Sequence, residues 1–367
     1  MACCPCFIVD NKSKSDINFS KNSEMDFVLH KQTSRYFANS FINDSNVSKL
    51  VTKEWLISKI KFVAEQLATN KISEDEFSDD GPYVGPSGIA YSLLRVSKSN
   101  IGINFTKEAL SILKKQQKLL PKVSKAHECR YLTGTLGFNT IQLLADEIDL
   151  PTFSSKVKKM LGLVLQPGYQ KIGDDEILNG RSGFLNSILT ISFWNFLNDS
   201  SKIAVKQSVD WYLSIQMQDG NFPSGTDRIG KKEELIHWCH GATGALHMLL
   251  AAHLIFKDTK YLQSAIRCAN LIWERGILCK GPGICHGVAG SGYAFLLLYR
   301  QTNENEWLDK AKTFALIMMS EEFNSAARTP DNPFSLFEGW AGSLCFLIDL
   351  ITPMRAQFPL LPLNFKN

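Results

Sequence analysis

Gly287-Val288-Ala289-Gly290 runs straight into the apolar stretch SGYAFLLL (291–298), and Gly241-Ala242-Thr243-Gly244 runs into ALHMLL (245–250). The same pattern stands at four other places: Gly85-Pro86-Ser87-Gly88 before IAYSLL, Gly134-Thr135-Leu136-Gly137 before FNTIQLL, Gly180-Arg181-Ser182-Gly183 before FLNSIL, and Gly339-Trp340-Ala341-Gly342 before SLCFLI. The first glycines are 49, 46, 61, 46 and 52 residues apart, and a period near 50 is the signature of a repeat architecture.

Each unit carries two helical signals. The segments after the glycines are apolar nearly all round, as buried helices are. Those upstream are amphipathic: Val51–Ala68, Thr106–Leu120, Ile203–Met217, Tyr261–Glu274 and Trp307–Met319. Glycine pairs let the chain turn tightly and helix ends crowd together, with free N–H groups converging. This predicts an all-α fold, an α/α toroid of inner and outer helices, ahead of a linear solenoid, which would expose one helix layer. The 61-residue interval breaks the rhythm and predicts that one outer and one inner helix are missing near Asn195–Lys202, leaving apolar faces wet.

Composition narrows the function. At 44% hydrophobic and 21% charged residues the chain is a folded globular protein, and a scattered formal charge of +4 makes no case for nucleic acid. The longest apolar stretch is too short for a membrane span and no secretory signal is read, so the nine cysteines are expected to be reduced thiols in a cytoplasmic protein. Residues 1–34 are expected to be a polar, mobile extension before a single domain at 35–367. Cys3, Cys4 and Cys6 offer a palmitoylation site and so a peripheral membrane contact, weighed against a tail with no partner.

Chemistry is concentrated in two repeats. Cys239-His240 and Cys285-His286 each stand directly before the first glycine of their unit, in the same register. A lone Cys-His pair is usually a buried cysteine beside a capping histidine; two in repeat register favour a zinc site. Three of the four atoms would suffice, and two thiolates with one imidazole suit the activation of an added thiol.

The segments HWCHGATG, KGPGICHGVAGSGYAFLLLYR and RTPDNPFSLFEGWAG, with DEILNGRSGF and RYFANSF, resemble the eukaryotic lanthionine synthetase C-like (LanC-like) family over about residues 35–360, in places most like its third vertebrate paralogue. The resemblance implies a double ring of helices and Zn2+ held by Cys239, Cys285 and His286. It implies a glutathione site using Lys280, Arg328, Thr329, Pro330 and Asp331, where Lys280 and Arg328 can meet carboxylates and Asp331 an ammonium. It places Glu176 and Arg181 at the cavity mouth as candidate catalytic groups, with His240 beside the first ligand in a supporting or acid–base role. The implied reaction is addition of the glutathione thiol to dehydroalanine or dehydrobutyrine residues of proteins, forming a thioether. One departure stands out: the family's His-Gly-x-x-Gly repeat, expected between the Gly180 and Gly241 units, is missing. A non-catalytic glutathione-binding adaptor is therefore the alternative. A zinc-dependent prenyltransferase β-subunit is a remoter one, since that architecture places Asp, Cys and His ligands differently.

Overall fold

The computed structural model describes residues 29–42, 46–78, 81–120, 122–166, 177–178, 182, 184 and 199–361. Among them the regular structure is helical, and the only β features are the isolated bridges Lys31 to Phe37 and Tyr36 to Leu278. Thirteen α-helical segments are found: α1 (Lys53–Thr69), α2 (Pro86–Lys98), α3 (Thr106–Leu119), α4 (Lys125–Glu128), α5 (Thr135–Leu144), α6 (Leu150–Val164), α7 (Asp199–Ser214), α8 (Ala242–Phe256), α9 (Thr259–Arg275), α10 (Val288–Thr302), α11 (Asn305–Met318), α12 (Glu321–Ala326) and α13 (Trp340–Ile351). The all-α expectation is met, and the amphipathic segments become helices within a few residues of their predicted limits.

Two compact units are present. One comprises the described parts of 60–195 and 334–345, the other those of 13–59, 196–333 and 346–367. In the first, α2 packs along α3, and Tyr83 stacks on Phe337 with ring centroids 4.8 Å apart. In the second, α8 pairs with α9 and α10 with α11. These are the pairs of buried and half-wet helices that the periodicity demands. Helix α10 is buried along its length from Val288 to Leu298, and α9 turns Tyr261, Ala265, Cys268 and Ile272 inward. Phe295 of α10 anchors an aromatic cluster, edge-on to Trp273 and Phe314 at 6.0 and 5.2 Å. Burying each such large side chain is worth about 1.5–3 kcal/mol.

Local signals explain where the helices begin. Asp149 and Ser320 cap α6 and α12 by accepting hydrogen bonds from the Thr152 and Phe323 N–H groups. Helix α7 ends at Ser214, short of the predicted Met217, because Met217 donates its N–H to Asn221 instead and the chain turns there. Ile203, Val205 and Trp211 of α7 are exposed. The predicted inner helix at Gly183–Trp194 lies almost wholly outside the described residues.

Candidate metal and thiol site

The site begins with two glycine turns that reverse the chain just before helices α8 and α10. Gly241 has φ +107°, a conformation natural to glycine, and a Cβ there would collide with the Leu235 carbonyl. Buried Asn221 supports the same turn from both sides. Its Oδ1 accepts the Ala242 N–H at 2.8 Å, and its Nδ2 donates to the Leu235 carbonyl at 3.1 Å. Thr243 adds a hydrogen bond from its hydroxyl to the Ile236 carbonyl at 2.8 Å. The first turn of α8 thus grips the strand of loop that delivers Cys239. Upstream, the Glu233 carboxylate accepts N–H groups from Ser224, Glu234 and Leu235. Burial pushes its pKa up, but these hydrogen bonds outweigh that and hold it below the usual value.

The second turn is joined to the first by backbone. The Trp238 N–H donates to the Cys285 carbonyl at 2.8 Å. One ligand atom each from Cys239, Cys285 and His286 then lie within 4.8 Å of one another. Cys285 and His286 are buried and Cys239 is partly open. Zinc held tetrahedrally by sulfur and nitrogen would need those atoms about 3.5–3.8 Å apart. Two thiols and one imidazole, gathered on loops with one side partly open, fit such an ion after a small contraction.

The glutathione residues named from sequence also come together. The Arg328 N–H donates to the Cys279 carbonyl at 2.8 Å, so the segment 328–331 is tied beside Lys280. Gly281, at φ +110°, lies under that segment: a Cβ would stand 2.8 Å from the Arg328 carbonyl and 3.1 Å from Pro330 Cγ. Arg328, Thr329 and Asp331 are exposed, Lys280 is half-buried and Pro330 is buried, an arrangement that offers charged groups to a solute.

Sequence reading missed two contributors. Asn221 is one. The other is the segment around Arg35, which docks on the same loop: the Phe37 N–H donates to Ile277, and the Cys279 N–H to Arg35, at 2.8 and 2.9 Å. Arg35 lies 3.8 Å from Glu234. The RYFANSF motif was the available signal, but contacts between residues 244 apart leave no local trace. His237 is buried, its Nδ1 has no hydrogen-bond partner among the described residues, and its ring centroid is 5.9 Å from that of His286. Burial, then the positive neighbours His286, Lys280, His240 and Arg35, push its pKa well below the imidazole range. His240 is half-buried, and its carbonyl accepts the His237 N–H at 2.8 Å. Glu176, Arg181, Cys3, Cys4 and Cys6 lie outside the described residues.

Comparison with known proteins finds three similarities. The sequence model for "lanthionine synthetase C-like protein" matches residues 187–363, which include all three candidate ligands. Glutathione S-transferase LANCL1 from Danio rerio is 44% identical over 156 residues, covering 42% of this chain and 38% of that protein, so the match spans well under half the relative's length. The solved structure of nisin cyclase superposes over 86% of this chain and 90% of its own at a TM-score of 0.47 and 14% identity, too loose a likeness to carry the fold. Residues 187–363, a little under half of the chain and with the two Cys-His turns inside them, are thus similar to lanthionine synthetase C-like proteins.

Proposed function

We propose that the chain is a zinc-dependent, glutathione-binding protein that adds the glutathione thiol to dehydroalanine or dehydrobutyrine residues of proteins. The observation that carries the reading is the meeting of donor atoms from Cys239, Cys285 and His286 within 4.8 Å, beside a loop that presents Lys280 and Arg328. The name of the Danio rerio relative supports glutathione as the thiol.

Bound zinc would hold an added thiol and lower its pKa. The remaining roles belong to the chain itself. Arg328 and Lys280 pair with the two glutathione carboxylates, Arg328 through a bidentate fork, and Asp331 takes the ammonium. Thr329 and Pro330 shape the loop between them. Orientation by these contacts sets the sulfur against the β-carbon of the dehydroamino acid. A C–S bond forms there as the π pair moves toward the α-carbon, which then takes a proton. Glu176, Arg181 and His240 are the candidates for proton handling and for stabilising the enolate.

The missing His-Gly-x-x-Gly repeat favours a second reading, an adaptor that binds glutathione without turnover. One experiment separates the two. Metal content is measured on purified protein, glutathione affinity by calorimetry, and addition to a dehydroalanine peptide by mass spectrometry. Zinc, glutathione binding and a peptide gaining one glutathione support the enzyme. Zinc and glutathione without product support the adaptor. Protein with neither zinc nor glutathione affinity defeats both.

A further inference from the structure

Helices α3, α4, α5 and α6 surround a cavity of about 490 Å³ in the unit that lacks the metal cluster, outside residues 187–363. Its walls are mixed. Phe138 and Met160 supply buried apolar surface, and Leu120 and Leu163 widen it. Gln142, also buried, donates to Gln117 across the lining at 3.3 Å. The charged residues in the lining are Lys125, Lys156, Lys159 and Glu128, three cations against one acid.

Lys156 is the informative residue. A lysine covering apolar surface ordinarily sends its ammonium outward to water. Here Nζ turns inward and donates to Oδ1 of buried Asn139 at 2.7 Å. No carboxylate pairs with it among the described residues, and burial alone pushes its pKa down. Drawing an ammonium part-way out of water against a neutral amide is unfavourable unless a counter-charge arrives. The cavity has room for one, with apolar walls to receive the body that carries it. Concave apolar sites with a few convergent polar groups are the usual form of small-molecule sites.

We propose that this cavity is a second ligand site, separate from the Cys-Cys-His cluster, which takes a small organic anion with an apolar body, its charged group set on Lys156 and its body against Phe138 and Met160. The surplus of lysines at the lining draws an anion in and disfavours a cation.

The test uses the full chain with 8-anilinonaphthalene-1-sulfonate as a fluorescent probe and octanoate, octylammonium and inorganic phosphate as competitors. Expected are saturable one-to-one probe binding and displacement by octanoate at concentrations at which octylammonium and phosphate have no effect. Lys156→Met should weaken probe binding at least tenfold with an unchanged circular dichroism spectrum. Leu163→Trp, which fills the cavity from a half-exposed position, should abolish it and serves if the lysine variant fails to fold. Binding should survive in the Cys239→Ala, Cys285→Ala double variant. Absence of saturable binding, equal competition by octylammonium or phosphate, full affinity in both cavity variants, or loss of the probe with the two cysteines would each overturn the proposal.

Discussion

The backbone N–H of Trp238 donates to the carbonyl of Cys285 at 2.8 Å, so one Cys-His turn is hydrogen-bonded to the other through one thiol-bearing residue and the neighbour of the second, Cys239. The two turns come from repeats 46 residues apart in sequence. The two turns are thereby fixed side by side, offset by one residue from exact repeat register, and the spacing of the donor atoms is set by main chain rather than by long flexible side chains.

That geometry makes a sharp statement about metal. One equivalent of zinc should co-purify, and Cys239→Ala or Cys285→Ala should each remove it, because a three-ligand site cannot spare a thiolate. Emission spectrometry on the dialysed proteins checks this. Full occupancy in the double variant would remove both cysteines from the site.

Asn221 should matter to the metal without touching it. Asn221→Ala deletes the hydrogen bonds to Ala242 and Leu235 and leaves buried backbone groups unmet, at a cost of about 1–3 kcal/mol. The loop bearing Cys239 loosens with it. Denaturant unfolding should show the stability loss, and competition with a chelator should show weaker zinc retention. Asn221→Asp keeps the acceptor for the α8 N-terminus and should recover part of both.

These residues also show what a sequence can and cannot tell. The Cys-Cys-His cluster was legible in part: a repeat places like residues in like positions, so two Cys-His pairs in register already pointed to four candidate atoms, while the choice of Cys239, Cys285 and His286 among them came from the family resemblance. The helices were legible because burial imposes a period on apolar residues. Asn221 was not, since a lone polar residue 21 positions before the start of a helix is indistinguishable from a turn asparagine until the chain folds back. Arg35 and Cys279 are paired only by tertiary structure. Lys156 on an amphipathic helix reads as solvated; its inward turn depends on an asparagine placed by α5.

His247 predicts an acid-sensitive fold. It sits in α8 with its ring edge-on to Phe358, centroids 4.7 Å apart, and burial pushes its pKa down to about 3. In the unfolded chain a histidine titrates near 6.5. Between these values the unfolded state binds the proton more readily, so this contribution is complete above about pH 6.5 and is lost as pH falls toward 3. By pH 5 the loss is about 2 kcal/mol. Urea unfolding at pH 7 and pH 5 should show that difference for the native sequence and a smaller one for His247→Leu, which keeps an apolar side chain against Phe358. Equal acid losses in both proteins would contradict the assignment.

Gly281 predicts that glutathione affinity can be damaged without touching a charged group. Its φ of +110° disfavours any side chain, and a Cβ would press on the Arg328 carbonyl and on Pro330. The loop cannot yield freely, because Gly281 also accepts the Val288 N–H at 3.0 Å and Cys279 holds the Arg328 N–H. Gly281→Ala should therefore displace residues 328–331 relative to Lys280. If Arg328 and Lys280 clamp the two glutathione carboxylates together, binding should weaken by about 1.5–3 kcal/mol, comparable to Arg328→Ala, which deletes the charge-assisted contact itself. Zinc should still bind, since the Trp238 N–H holds the Cys285 carbonyl independently of Gly281. Gly230→Ala is the control: Gly230 has φ +77°, but nothing lies within 4 Å of a Cβ there. It carries similar backbone strain with no segment to push, so it should lose stability and keep its glutathione affinity. A calorimetric titration in which Gly281→Ala binds as tightly as Gly230→Ala would show that the 328–331 segment does not form the glutathione site.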